Sequence, residues 1–286
     1  MAIHPTGEAC SDPQNPLEQS RTGGRTAMAQ LARETLHVDV RVDQAYNVVL
    51  DHLLAAFRES GPSDFYFSAL TAPPPPGTCM VYSARTSGFF SSGSAFGPPG
   101  AQIDAGPLSV QVGNATAPAP ANDGFPGTFY ALLGSQGSPG LAPTPSLLNT
   151  GPFTLIGSGF RVMLESAAAI TWTNRDQVNQ IDRAKDLALT WTAVQGANRG
   201  VVIVGTSELV SHNGSSGFVC VAPPGATTFS VPSYVLMALP ASDGEAYRVA
   251  RISLGDVPLT SAATLPGYDR SYLGVSNWSS KTAVIR

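Results

Sequence analysis

Charge is scarce in this sequence. Charged residues make up 13% of the 286 positions, about half of the ~25% usual for globular domains. The net charge of -4 gives no electrostatic basis for binding nucleic acid or an anionic membrane surface. Lysine is almost missing. Lys185 and Lys281 are the only two, and every other basic residue is Arg, a bias that arginine-favouring codons of a GC-rich genome account for. No apolar run approaches the ~18 residues that a membrane span needs. The segment Met1 to Gln19 is polar, without the basic start and apolar stretch of a signal peptide, so the expectation for the given chain is that it carries no export signal.

Chemistry-bearing groups are equally thin. Between Thr86 and Phe160 the only charged side chains are Asp104 and Asp123, and no His occurs between Leu53 and Ser211. General acid–base catalysis needs titratable groups that converge. The chain has no Gly-x-Ser-x-Gly elbow, no phosphate-binding Gly-x-x-x-x-Gly-Lys-Ser/Thr loop and no His-Glu-x-x-His. The four histidines, His4, His37, His52 and His212, are scattered. Carboxylates that a glycosidase would need in pairs are present as Asp176, Asp182, Asp186, Glu208, Glu245, Asp256 and Asp269. Their local sequence reads as solvated turns, with Asp243-Gly244 and Gly255-Asp256 as hairpin connections. No catalytic residue and no cofactor is therefore expected. Two ion sites are conceivable: calcium at Asn122-Asp123-Gly124, against a plain turn without EF-hand spacing, and a metal between His37 and His52 across the strand and helix, against surface or packing histidines.

The three cysteines, Cys10, Cys79 and Cys220, form no Cys-x-x-Cys pair, which excludes a zinc ribbon or thioredoxin-like site. Cys79 and Cys220 both lie in strand-like runs. They read as buried thiols packed as small hydrophobes. A disulfide between them is the alternative, and it needs their Cα atoms within ~7 Å.

What the chain has in abundance is Gly and Pro, 29 and 24 residues, which with many Ser and Thr implies short strands joined by tight turns. Residues 1–30 read as a disordered leader. Leu36, Val38, Val40 and Val42 alternate with polar residues as a strand. Within Gln44 to Ser60, Tyr46, Val49, Leu50, Leu53, Leu54 and Phe57 share one helical face, predicting a helix capped by Asp43. A short strand over Asp64 to Leu70 completes a strand–helix–strand segment at 31–72. Pro73-Pro74-Pro75-Pro76-Gly77 then makes a stiff connector. Beyond it, strand and turn alternate to the end. This predicts a mainly β chain of one or two β-sandwich, Ig-like regions, 77–166 and 167–286. One helical turn is expected between Pro232 and Leu239. Ile170-Thr171-Trp172-Thr173 and Leu189-Thr190-Trp191-Thr192 look alike, as neighbouring antiparallel strands or equivalent core strands would, and their tryptophans are core candidates.

Five strings taken in order are Pro75–Tyr82 (PPGTCMVY), Ile103–Leu108 (IDAGPL), Ala169–Asn174 (AITWTN), Phe218–Pro223 (FVCVAP) and Phe229–Leu236 (FSVPSYVL). This order resembles the C-terminal region of large β-rich proteins of soil acidobacteria, a family without an assigned activity. The resemblance spans Leu70 to Arg286 and implies a secreted or surface-exposed protein. It lends no catalytic residue. Two functions of different class then stand open. One is a non-catalytic surface-structural or adhesive protein, with polysaccharide or other surface proteins as partners. The other is a carbohydrate-binding module, in which Trp278, read as following a strand within Ser276-Asn277-Trp278-Ser279-Ser280, would stack on a sugar ring with Tyr268 and Tyr272 nearby. A glycoside hydrolase is the third, for which convergent carboxylates are lacking.

Overall fold

The structure, a computed structural model, describes residues 24–39, 45–59, 73–84, 101–121, 128–137, 143–145, 148, 152–165, 169–194, 196, 198–209, 214–242, 250–259, 261 and 263–286. The chain is mainly β. Its strands are β1 (Arg25–Asp39), β2 (Ala45–Glu59), β3 (Cys79–Ala84), β4 (Ala101–Gln102), β5 (Leu108–Val112), β6 (Ala115–Ala119), β7 (Thr128–Gln136) and β8 (Phe153–Gly157). Then follow β9 (Phe160–Leu164), β10 (Gln180–Ile181), β11 (Leu187–Thr190), β12 (Arg199–Leu209), β13 (Gly214–Val221), β14 (Thr228–Val231), β15 (Ala250–Pro258) and β16 (Arg270–Ile285). A 3-10 turn at Arg175–Gln177 and one helical turn, α1 (Ser233–Leu236), are the helical elements among the described residues. α1 falls where Pro232 predicts it. None of these is long and apolar enough to cross a membrane.

One large sheet runs β3-β13-β12-β15-β16-β1-β2-β4, with β7 also on β2 and β10 on β16. Its pairings are antiparallel except that β16 meets both β1 and β10 in parallel. Along β16 successive side chains alternate between faces. Leu273 and Val275 enter one core, and Ala283 and Ile285, of the same parity, enter another. The two cores therefore lie side by side on one face. The first is closed by the four-stranded sheet β6-β5-β8-β9, whose Val110, Phe153, Leu155 and Leu164 are buried against Leu31, Leu53 and Phe57. The second is closed by the β11–β14 ribbon, α1 and the segment around Trp172. Each is a two-layer sandwich, and β16 runs through both.

Two sequence expectations are overturned here. The leader predicted over 1–30 gives way at Arg25, where β1 begins. Ala27, Met28, Ala29 and Gln30 are buried between β2 and β16. The helix predicted over Gln44–Ser60 is β2. Read in twos, the same residues put Asp51, Leu53, Ala55 and Phe57 on the core side, while Leu50, Leu54 and Ala56 take the other. A stretch apolar on both faces satisfies either period. The ladders offered by β1 on one edge and β7 on the other decide for the strand. Asp43 and Asp64–Leu70 lie outside the described residues.

The two Thr-Trp-Thr strings do face each other. Trp172 and Trp191 form an antiparallel bridge, reinforced by backbone bonds from Thr173 to Thr190 and from Thr192 to Thr171. Both rings are buried, with their indole N–H groups satisfied by Asn174 Oδ1 at 2.8 Å and by the Ala226 carbonyl at 2.9 Å. Trp172→Ala or Trp191→Ala removes the largest side chains of the second core and should lower the unfolding free energy by about 3–5 kcal/mol in urea titrations. Acrylamide should not quench either residue in the native state.

Candidate functional site

Cys79 and Cys220 are register partners on β3 and β13, with Cα atoms 4.0 Å apart, and their sulfurs are bonded. The expectation of two free thiols is thereby corrected. The expected split between regions placed the cysteines apart, but β3 leaves the N-terminal part of the chain and joins the far edge of the large sheet, beside β13.

The aromatic triad is not assembled. Arg270 to Ile285 is one strand, so Trp278 sits mid-strand rather than past a strand end. Its ring lies over Gly255, where a Cβ would come within 2.4 Å of the indole, and its N–H donates to Ser276 Oγ at 2.9 Å. Tyr272 is on the same face six residues away, beside Met28 and Ala56. Tyr268 is on the opposite side, packed on Phe57 at 5.7 Å between ring centroids and under the Arg25 guanidinium. These three rings cannot stack on one sugar. Tyr272 does border a cavity of about 110 Å³, together with Met28, Gln30, Pro258, Leu259 and Ser261.

The chemistry the sequence hid lies between the two cores. On the core-bearing face, the odd positions of β16 pass from Leu273 and Val275 through Asn277, Ser279 and Lys281 before turning apolar again at Ala283. Neighbouring strands change character at the same place. Arg33 of β1 forms a two-pronged pair with Asp51 of β2, Nε to Oδ1 at 2.9 Å and Nη2 to Oδ2 at 3.0 Å. Across the sheet, Arg199 of β12 donates to Asp256 of β15 at 2.7 Å and to the Val275 carbonyl at 2.9 Å. Asp51 and Asp256 are each 1% exposed, and Lys281 is 2% exposed, so this polar seam is an interior feature. Burial pushes the Asp256 carboxyl above the usual carboxylate range, with Arg199 opposing. Gly255-Asp256 is thus strand interior, not the solvated hairpin turn that its sequence implies.

Of the carboxylates the sequence offers a glycosidase, Asp176, Asp182, Asp186 and Asp269 are exposed. Asp182 binds Lys185, Asp186 caps the Ser233 amide and Asp269 the Arg25 amide. The side chains of Glu208 and Glu245 lie outside the described residues, as does Asn122-Asp123-Gly124. Among the described residues no group of three or more His, Cys, Asp or Glu is placed to hold a metal ion. His37 and His52 sit on opposite faces of the β1–β2 pair. His37 bonds Asn47 at 2.8 Å, and His52 stacks on Tyr130. On that second face Glu34 is ion-paired with Arg251, which also reaches Ser253 and Ser280. No protein-family model and no curated protein matches the chain.

Two outcomes follow from these buried groups. Removing one member of a buried pair strands the other charge, which typically costs about 3–5 kcal/mol. Asp51→Ala should therefore destabilise by that order, while Arg33→Met with Asp51→Leu should cost clearly less, as read from chemical denaturation. Burial lowers the His52 imidazole to about 4, with the Asp51 charge opposing. Its folded value lies below its unfolded value, so its contribution is complete above about pH 6.5 and is lost as the pH falls toward about 4. The loss amounts to at most ~3 kcal/mol at ~1.4 kcal/mol per unit. The stability difference between pH 7 and pH 4.5 should shrink in His52→Gln.

Proposed function

We propose that this chain is a non-catalytic, exported β-sandwich protein with a surface-structural or adhesive role. The Cys79–Cys220 bond is the observation that carries this reading, because disulfides persist in oxidising compartments and are rare in the cytosol. The bond closes a separation of 141 residues, which in the chain-entropy account restrains the unfolded state by roughly 4–5 kcal/mol. It also fastens β3, the outermost strand of the sheet, to its neighbour. Free edges are where sheets recruit other chains, so an edge strand held covalently suits a protein that must stay folded outside the cell. The buried carboxylates support the non-catalytic part: Asp51, Asp256 and Glu34 are each matched to an arginine.

The test is made on protein taken from its native cells with thiols trapped at lysis. Intact mass should show Cys79 and Cys220 joined and Cys10 alkylated, and a membrane-impermeant label should reach the protein on intact cells. Cys79 and Cys220 recovered as alkylated thiols, with no labelling until the cells are opened, would overturn the proposal.

The second reading, polysaccharide binding, is favoured by one feature, the cavity beside Tyr272. An aromatic ring flanked by Gln30 and Ser261 offers both a stacking face and hydrogen-bonding groups. In affinity electrophoresis on gels containing soluble glucans or xylans, Tyr272→Ala should abolish any retardation and Trp278→Ala should leave it unchanged. Equal mobility of wild-type protein with and without polysaccharide removes this reading.

A further inference from the structure

Lys281 stands apart in a chain that uses arginine nearly everywhere. It is one of two lysines, and it is among the largest fully buried side chains of the protein, while Lys185 is exposed. Its Nζ lies 2.5 Å from Oδ1 of Asn179. Asn179 is held through both its side chain and its backbone. Its Nδ2 donates to the Asp176 carbonyl at 3.1 Å, and the Asn179 backbone carbonyl accepts from Val284, three residues beyond Lys281 on β16. The following residues, Gln180 and Ile181, pair with Val284 and Ile285 as β10. The segment holding Asn179 is therefore clamped onto the strand that holds Lys281. Amine and carboxamide are held in hydrogen-bond contact without further loss of freedom, and such pre-positioning gives intramolecular reactions their high effective molarity. The Asp176 carboxylate itself is exposed and paired with Arg175 Nε at 3.1 Å.

We infer that Lys281 and Asn179 form an intramolecular amide cross-link. The Lys281 ammonium loses one proton to water, and the neutral amine attacks Cγ of Asn179. The tetrahedral carbon expels Nδ2, which leaves as ammonium after taking back one proton from water and receiving a second from Nζ. One C–N bond forms and one breaks, and nothing is oxidised or reduced. The bond ties the segment after the 3-10 turn to β16, directly over the polar seam, a place where apolar packing on either side stops. This inference stands on the Lys281–Asn179 geometry and does not depend on export.

The experiment uses the full-length protein, reduced and then weighed. The wild type should be lighter than its sequence by about 17 Da, one ammonia. Trypsin should fail to cut after Lys281 and should release Asp176–Arg183 joined to Ser271–Arg286 as one branched species. Asn179→Ala and Lys281→Arg should each return the full sequence mass. A wild-type mass equal to that of the sequence, with Ser271–Lys281 released as a linear peptide, overturns the inference. So does an ammonia loss that maps elsewhere, such as Asn213-Gly214, since no branched peptide would accompany it. The wild-type peptide map decides the matter even if a variant fails to fold.

Discussion

The rest of the structure depends on the parallel pairing of β1 with β16. Twelve consecutive positions, Thr26–His37, lie beside Arg270–Lys281, joining the start of the described chain to its end. A parallel pair cannot be closed by a hairpin. Here the closing contacts span most of the sequence, as the bond between Arg25 and Asp269 across 244 positions shows. Loop closure on that scale costs only slowly growing entropy, but it must be met before the contacts return anything. Once made, the pair gives β2 an edge on one side and β15 an edge on the other. The two halves of the sheet are thereby held in one register, and each half offers a floor on which a smaller layer closes a core.

The polar seam follows from that continuity. Two cores on one unbroken face must be separated by something, and here it is a row of charged and hydroxyl side chains crossing five strands: Asp51, Arg33, Lys281, Asp256 and Arg199. Such groups are expensive to bury, and well-packed apolar residues often serve stability as well or better. Their effect here is on register. Slipping β16 by one residue against β1 would turn Leu273 and Val275 out of the first core and send the flanking even positions in. It would also draw Asn277 and Lys281 off the face they share with Arg33. A slipped sheet loses both its cores and the matching of its charges at once.

Much of this fold was legible in the sequence, and the failures have identifiable causes. Most strands after Cys79 follow from Gly- and Pro-marked turns, and the Pro232 helical turn and the burial of Trp172 and Trp191 follow from local chemistry, whereas local sequence did not choose between facing and merely equivalent strands for the two tryptophans. β2 was not legible because an apolar stretch on two faces carries no unique period, and only its flanking strands choose. Trp278 was misplaced because Ser276-Asn277 and Ser279-Ser280-Lys281 look like a loop. They are polar because they cross the seam, not because they leave the sheet. The disulfide was misjudged because β3 follows a proline run in one half of the sequence and pairs in the other half of the sheet. The seam itself leaves only a faint mark. Arg33 falls where the odd-numbered apolar positions of β1 stop, and Asp51 interrupts those of β2 between Val49 and Leu53. A single chain cannot show that these interruptions meet.

The central claim is that one continuous strand, β16, carries both cores as a single cooperative sheet. Native-state amide hydrogen exchange along Ser271 to Ile285 tests it directly. The account predicts that the slowest amides near Leu273 and Val275 and those near Ala283 and Ile285 open with the same free energy and respond identically to low denaturant. Two groups of amides, opening with separate free energies and separate denaturant dependences on either side of Ser279, would contradict it.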